Sequence, residues 1–195
     1  WSSGVVYVRK FREMHPESVV GMVLVESSHE QQRRRLESGR REQDYSSYEL
    51  CDRLAWTGAL RIFNLMEPYV SSSWSTEDFA ADLAMHNRTG FCEGQVNALK
   101  GIYSELYSNT PPADLGDLPL IVISRGIDPV VPDNLAADVA TRQYVESENQ
   151  GWHEMQAELA ALSSTSEHWI ATESGHGVPF EQPEIIVRAI LQLVP

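Results

Sequence analysis

The sequence predicts an α/β protein in which a parallel sheet is covered by helices and interrupted by a helical insertion. Two observations favour this class. Three short apolar runs alternate with segments of helical periodicity, which is the pattern of strand–helix–strand units with parallel strands. Residues 30 to about 110 contain helical patterns only. We therefore expect two core segments, residues 1–29 and 114–195, separated by a helical cap insertion over residues 30–113.

The first core segment opens with a turn of small residues that leads into a predicted helix over residues 5–14. We expect Val5, Val8 and either Phe11 or Met14 on the inner side of this helix, because they recur at helical spacing. Pro16 disfavours helical backbone at the residue before it, His15, and therefore ends the helix.

Three apolar runs are predicted to be strands: residues 19–25, 118–124 and 168–172. The first two are almost continuously apolar, which indicates burial on both faces of a parallel sheet. Polar turns follow all three runs, and ligands of open α/β sheets bind beyond the carboxyl ends of the strands. Three strands are too few for a covered sheet of this kind. We therefore expect further strands, including one leading into Ser2, from sequence preceding this chain or from a second polypeptide segment.

The remaining elements are predicted to be helices. In the insertion they span residues 30–43, 47–66, 76–86 and 92–108. In the second core segment a helix is expected over residues 134–163, with apolar residues at positions 152, 155, 159 and 162 at helical spacing. The last helix begins at Pro183, a favoured residue type in the first turn. Its expected buried stripe consists of Ile186, Ile190 and Leu193, with Val187 and Leu191 beside them.

Composition excludes several classes of partner. The formal net charge of -13 argues against nucleic-acid binding, which requires a basic surface. No apolar stretch approaches the roughly 18 residues of a membrane span.

Cys51 and Cys92 lie outside any metal-ligand spacing, so no metal site is predicted. The two cysteines either pair, as in an exported protein, or remain buried thiols, and we favour thiols. Nothing in the sequence indicates a localisation.

Three reactive residue types stand at turns beside the predicted strands. Ser2 belongs to the turn Trp-Ser-Ser-Gly, which runs into a helix as a nucleophile elbow does. Asp128 follows the second predicted strand, and His176 lies between two glycines after the third. A serine becomes nucleophilic when a histidine takes its proton, and a carboxylate fixes the tautomer of that histidine. The three residues are therefore candidates for a catalytic triad.

Three sequence blocks outside the insertion form a specific combination. The first, His15 to Ser27, reads H-P-E-x-V-x-G-x-V-L-V-E-S, and the second is the turn from Ser124 to Pro129. The third, Ser174 to Glu184, reads S-G-H-x-V-x-x-x-x-P-E. With these blocks, residues 5–30 and 118–193 resemble the carboxyl-terminal half of an α/β-hydrolase with a helical cap.

The resemblance implies the α/β-hydrolase fold, with helices on both faces of a parallel sheet, and a serine hydrolase with Ser2, His176 and Asp128 as the triad. It also implies that the backbone N–H of Ser3 donates a hydrogen bond to the oxyanion. The implied substrate is a small or medium ester or a related acyl compound. Such an enzyme works through an acyl-enzyme and requires neither a metal nor an organic cofactor.

Alternative readings of the same residues remain open. Ser2 is also a favoured helix N-cap residue. Glu26 ends the first predicted strand, where some proteins of this kind carry the acid, and Asp133 is a third candidate that is also placed to cap the next helix. His29 faces the same strand-end surface, and His168 is expected to be structural.

Two other functions compete with the esterase reading. A hydrolase-like domain without turnover would bind a ligand or a partner at the same surface. A peptidase of the aminopeptidase type would use an acidic residue of the insertion, such as Glu77 or Asp78, to hold the amine of its substrate.

Overall fold

The computed structural model describes residues 1–36, 44–69, 75–106, 113–132 and 138–194. The chain divides into two compact units. The first, which we call the sheet unit, comprises Trp1–Arg41 and Ser104–Pro195, and the second, the helical unit, comprises Glu42–Tyr103. No helix of the described residues is both long and apolar enough to cross a membrane.

The sheet unit contains three parallel strands in the spatial order β1-β2-β3. They are β1 (Met22–Val25), β2 (Leu120–Arg125) and β3 (Ser166–Ala171). The central strand β2 is buried along its whole length, as a strand covered on both faces must be. The predicted α/β class and parallel sheet are therefore confirmed.

The α-helices of the described residues occupy most of the predicted positions. In chain order they are α1 (Val5–Met14), α2 (Gln32–Arg35), α3 (Ser46–Thr57), α4 (Ala59–Ile62), α5 (Thr76–His86), α6 (Phe91–Leu106), α7 (Val139–Ala160), α8 (Val178–Glu181) and α9 (Pro183–Leu193). Short 3₁₀ helices span Pro16–Ser18 and Glu67–Tyr69.

Helices pack on both faces of the sheet. Because side chains alternate along a strand, neighbouring residues of β2 belong to opposite faces. Leu120 and Val122 of β2 pack in one buried cluster with Val5 of α1 and Leu159 of α7. The intervening residues Ile121 and Ile123 pack on the opposite face, in a cluster whose helical members are Val178, Ile185 and Ala189 of α8 and α9.

The inner faces of α1 and α9 differ from the prediction. On α1 only Val5 is buried, whereas Val8, Phe11 and Met14 are exposed. On α9 the buried residues are Ile185 and Ala189, and the predicted Ile190 is exposed. Two members of the predicted stripe, Ile186 and Leu193, are partly buried against this cluster, whereas Val187 and Leu191 are exposed. The prediction for α9 is therefore only partly correct.

The helical unit consists of helices and turns in its described residues. Gly58 adopts a left-handed conformation with φ of 77° and divides the helix predicted over residues 47–66 into α3 and α4. A disulfide joins Cys51 of α3 to Cys92 of α6, so the expectation of two thiols was wrong. Pairing depends on the distance between two helices, which the sequence does not contain.

The sheet unit extends beyond residue 29, where the predicted first core segment ends. Leu36, after α2, is buried against Trp152 and Met155 of α7. Arg35 pairs with two glutamates of the same helix, Glu154 and Glu158. These contacts attach α2 to the sheet unit rather than to the inserted helices.

Candidate active site

Ser2 lies beside the carboxyl end of β1 in an unusual backbone conformation. Its N–H donates to the carbonyl of Val25 at 3.1 Å, and it forms a parallel bridge with Ser27. The φ of Ser2 is 52°, a left-handed value that costs energy for any residue with a Cβ. Such strain at a turn into a helix is a property of nucleophile elbows.

Gly4 permits this tight turn. Its N–H donates to the carbonyl oxygen of Trp1 at 3.0 Å. A Cβ at Gly4 would lie 2.9 Å from that same oxygen, closer than a carbon and an oxygen tolerate. The chain then enters α1 at Val5, which is buried in the core. Gly4 is thus required by the close approach of two backbone segments.

His176 lies between the serine and a carboxylate. Its Nε2 is 3.1 Å from the Oγ of Ser2, and its Nδ1 is 3.0 Å from Oε2 of Glu26. An ionised carboxylate only accepts hydrogen bonds, so Nδ1 carries the proton and Nε2 is left as an acceptor for the serine hydroxyl. This tautomer is the one a general base requires.

Glu26 ends β1 and is fully buried, at 0% exposure. Besides His176, its partners are the indole N–H of Trp152, which donates to Oε1 at 2.8 Å, and the backbone N–H of Arg125, which donates at 3.0 Å. Burial raises the pKa of the carboxyl. The hydrogen bonds from His176, Arg125 and Trp152, together with the Arg125 charge, outweigh it and hold the pKa below its ordinary value. Glu26 is therefore an anion at neutral pH.

Asp128, the first candidate for the acid, lies elsewhere, and this prediction is corrected. Its carboxylate contacts Nε2 of His153 at 2.8 and 2.9 Å and accepts from Nε of Arg125 at 3.0 Å. Among the described residues, the carboxylate beside His176 is that of Glu26, the predicted alternative. The partners of the Asp128 carboxylate are thus Arg125 and His153 of α7. Asp133 lies outside the described residues.

Two tryptophans flank the imidazole of His176. The ring of Trp1 is 5.3 Å from it and that of Trp152 is 6.0 Å from it, measured between centroids. The indole N–H of Trp1 also donates to the backbone carbonyl of His176 at 2.7 Å. The sequence placed Trp152 on a buried helical stripe but did not reveal its role beside Glu26. A buried tryptophan needs an acceptor for its N–H, and this requirement is the signal that could have indicated a polar neighbour.

The two other histidines considered from the sequence, His29 and His168, contact other partners. His29 is buried at 1% exposure, and its Nδ1 accepts from the N–H of Gln31. Burial, helped by the charges of nearby arginines and opposed by Glu158, lowers the pKa of His29 to about 4. His168 contacts Ser124 at 2.6 Å, and burial lowers its pKa as well. Among the described residues, no group of histidines, cysteines and carboxylates is arranged to hold a metal ion.

The arrangement provides the parts that acyl transfer needs. A serine oxygen, a histidine that can take its proton, and a buried anion that orients the histidine lie in hydrogen-bonded sequence. The backbone N–H of Ser3, next to the serine, donates no hydrogen bond to any described residue, so a donor is at hand for an oxyanion. The chain matches no protein-family model, no curated protein and no solved structure.

Proposed function

We propose that the protein is a serine hydrolase of the α/β-hydrolase type that cleaves a small or medium ester or a related acyl substrate. The observation that carries the proposal is the row of hydrogen bonds from Ser2 through His176 to Glu26, with Ser2 in a strained turn. Strained backbone at a nucleophile is a feature that packing alone does not demand. The resemblance of the three sequence blocks to α/β-hydrolases supports the same conclusion.

The proposed reaction begins when Oγ of Ser2 attacks the substrate carbonyl and its proton passes to Nε2 of His176. Glu26 stabilises the imidazolium through the Nδ1 proton and remains ionised. The N–H of Ser3 donates to the oxygen that gains negative charge. His176 then returns the proton to the leaving alcohol, which gives an acyl-enzyme. Water, deprotonated by the same histidine, cleaves the acyl-enzyme and regenerates Ser2.

The test uses the protein at its natural full length with p-nitrophenyl acetate and butyrate as substrates. Ser2→Ala is expected to reduce kcat by at least about 10³-fold, because it removes the nucleophile. The matched control is Ser147→Ala, which changes an exposed serine of α7 and should leave turnover unchanged. Turnover by Ser2→Ala at the wild-type rate would refute the proposal.

A fluorophosphonate probe separates the enzyme from a binding domain without turnover. The probe reacts covalently with an activated serine, so labelling is expected at Ser2 in the wild-type protein and not in Ser2→Ala. A folded protein that binds substrate but is not labelled would instead support the non-catalytic alternative.

An aminoacyl p-nitroanilide decides between ester and peptide cleavage. Of the acidic residues considered for an amine site, Asp78 accepts a hydrogen bond from Ser75 at the start of α5, which explains Asp78 as part of a helix cap.

A further inference from the structure

Arg125, the last residue of β2, lies between two carboxylates. One of its terminal nitrogens is 3.6 Å from Oε2 of Glu26, and its Nε donates to Asp128 at 3.0 Å. The side chain is only 8% exposed, and Glu26 is 0% exposed. Little water therefore screens the attraction between Arg125 and Glu26.

The guanidinium is fixed on several sides. Beyond Asp128, its second terminal nitrogen donates to Oδ1 of Asn149 at 3.1 Å. Asn149 is itself anchored, because its amide donates to the carbonyl of Pro129. The guanidinium also lies 5.3 Å from the ring of Trp152, the residue whose N–H donates to Glu26. Arg125 and Trp152 thus form a connected support around one buried carboxylate.

The charged and titratable groups around Arg125 come from four elements. Glu26 follows β1, Asp128 follows β2 and His176 follows β3, and the turn residues Asp128 and His176 are both partly exposed. His153 of α7 contacts Asp128. Two further residues of α7, Tyr144 and Glu148, line the same small cavity as Arg125. Of the groups named here, Arg125 is the one that is cationic at every pH at which the protein works.

We propose that Arg125 is a positioning residue for the candidate triad, whose clamped guanidinium keeps Glu26 ionised and oriented toward Nδ1 of His176. This inference rests on the proposed function, because it assigns a role within the same site. Arg125 does not touch the reacting atoms. It acts through Glu26.

Removal of the Arg125 charge should shift the pH profile of kcat/KM in a definite direction. Activity requires neutral His176 and ionised Glu26. Without Arg125, protonation of Glu26 becomes easier, because a close opposite charge is lost. This change moves the acidic limb of the pH profile of kcat/KM to higher pH. A merely structural role would lower kcat/KM at every pH and leave the limb in place.

The experiment compares Arg125→Met with Arg125→Lys in the full-length protein on p-nitrophenyl butyrate from pH 4 to 9. Arg125→Met is expected to move the acidic limb upward by about one pH unit, as removal of a close opposite charge does. Arg125→Lys keeps the charge and should retain a limb close to the wild-type position, with a lower kcat because it lacks the planar fork. If Arg125→Met fails to fold, Arg125→Gln, which is neutral but polar, replaces it.

A second readout does not depend on turnover. The carboxyl carbon of Glu26 is titrated by ¹³C NMR in Ser2→Ala and in Ser2→Ala/Arg125→Met, and the midpoint should rise by about one unit in the double variant. Unshifted limbs and unshifted midpoints in the neutral variants would overturn the role of Arg125. Failure of the proposed function is a different outcome, namely wild-type turnover by Ser2→Ala, which leaves the NMR comparison interpretable by itself.

Discussion

The two units of the molecule are stabilised in different ways. The sheet unit has buried clusters on both faces of its sheet, and residues such as Val122, Ile123 and Met155 are completely buried. In its described residues the helical unit has one small buried cluster, formed by Ala55, Leu60 and Met66, and a disulfide. Both units expose some large apolar side chains, for example Trp56 at 75% in the helical unit and Val130 at 82% in the sheet unit, so the difference lies in what is buried.

The difference explains where the candidate chemistry lies. Ser2, Glu26 and His176 all belong to the sheet unit, and each follows or flanks a strand end. Catalytic geometry requires side chains fixed by rigid elements and by a second layer of hydrogen bonds, and parallel strands with two covered faces provide that rigidity. The helical unit buries less, and a covalent link compensates for a small core.

The largest expected effect tests which carboxylate of the sheet unit serves His176. Glu26→Gln should reduce kcat by about 10⁴-fold, because a neutral amide cannot stabilise the imidazolium and can favour the wrong tautomer. The matched variant Asp128→Asn should stay within about tenfold of wild type, because it removes a carboxylate that contacts His153 and Arg125 instead. The measurement is kcat on p-nitrophenyl butyrate. The reverse ranking would return the acid to Asp128.

The residues of the candidate site show what the sequence could and could not predict. Ser2 and His176 stand in turns of small residues and glycine, and such local chemistry is visible in a sequence. The choice of acid is not local. Glu26 and Asp128 both follow strands, and the outcome depends on Arg125, which binds Asp128 through its side chain and supports Glu26 through its backbone N–H. No periodicity or spacing encodes that competition.

Secondary structure shows the same contrast between what is local in the sequence and what depends on tertiary contacts. The helix predicted over residues 76–86 is α5 with those bounds, because a serine cap and an acidic first turn mark its start. The predicted buried stripe of α9 was only partly correct: Ile186 packs against the buried cluster, but the fully buried residues are Ile185 and Ala189. Pairing of Cys51 with Cys92 depends likewise on a distance between helices. Local signals set the elements, and tertiary contacts decide their faces and partners.

The second largest effect concerns the disulfide of the helical unit. The two cysteines are separated by 41 residues, and closing a loop of that length lowers the entropy of the unfolded chain by an amount worth about 4 kcal/mol. Replacing both cysteines with serine should therefore raise amide hydrogen exchange in α3 and α6 by a corresponding amount. Exchange in β1–β3 should stay unchanged, and this is the internal control. Equal loss of protection in the strands would contradict the division into separately stabilised units.

The third effect is a pH dependence confined to the sheet unit. His29 has a pKa lowered from 6.5 to about 4 by burial, so the unfolded chain binds its proton at a higher pH than the folded protein does. The stability contributed by neutral His29 is present above pH 6.5 and is lost as the pH falls toward 4. A difference of this size corresponds to about 3 kcal/mol in the free energy of unfolding.

Urea unfolding at a series of pH values measures this slope. His29→Asn keeps an acceptor for the N–H of Gln31 but removes the titration, so its stability should change less between pH 6.5 and 4. His168→Asn serves as a comparison, because His168 is exposed on β3 and contacts Ser124. An unaltered slope in His29→Asn would show that other groups cause the acid sensitivity.

The smallest effect compares two glycines of the helical unit under the same substitution. Gly58 has a φ of 77° and open space around its Cβ position, so Gly58→Ala costs only the left-handed conformation, about 1 kcal/mol. Gly94 lies within α6, is exposed, and also has open space around its Cβ position. Gly94→Ala should therefore stabilise by about 0.5–1 kcal/mol. Thermal unfolding gives both values, and an unchanged or higher stability of Gly58→Ala would mean that the left-handed conformation of Gly58 does not set the boundary between α3 and α4.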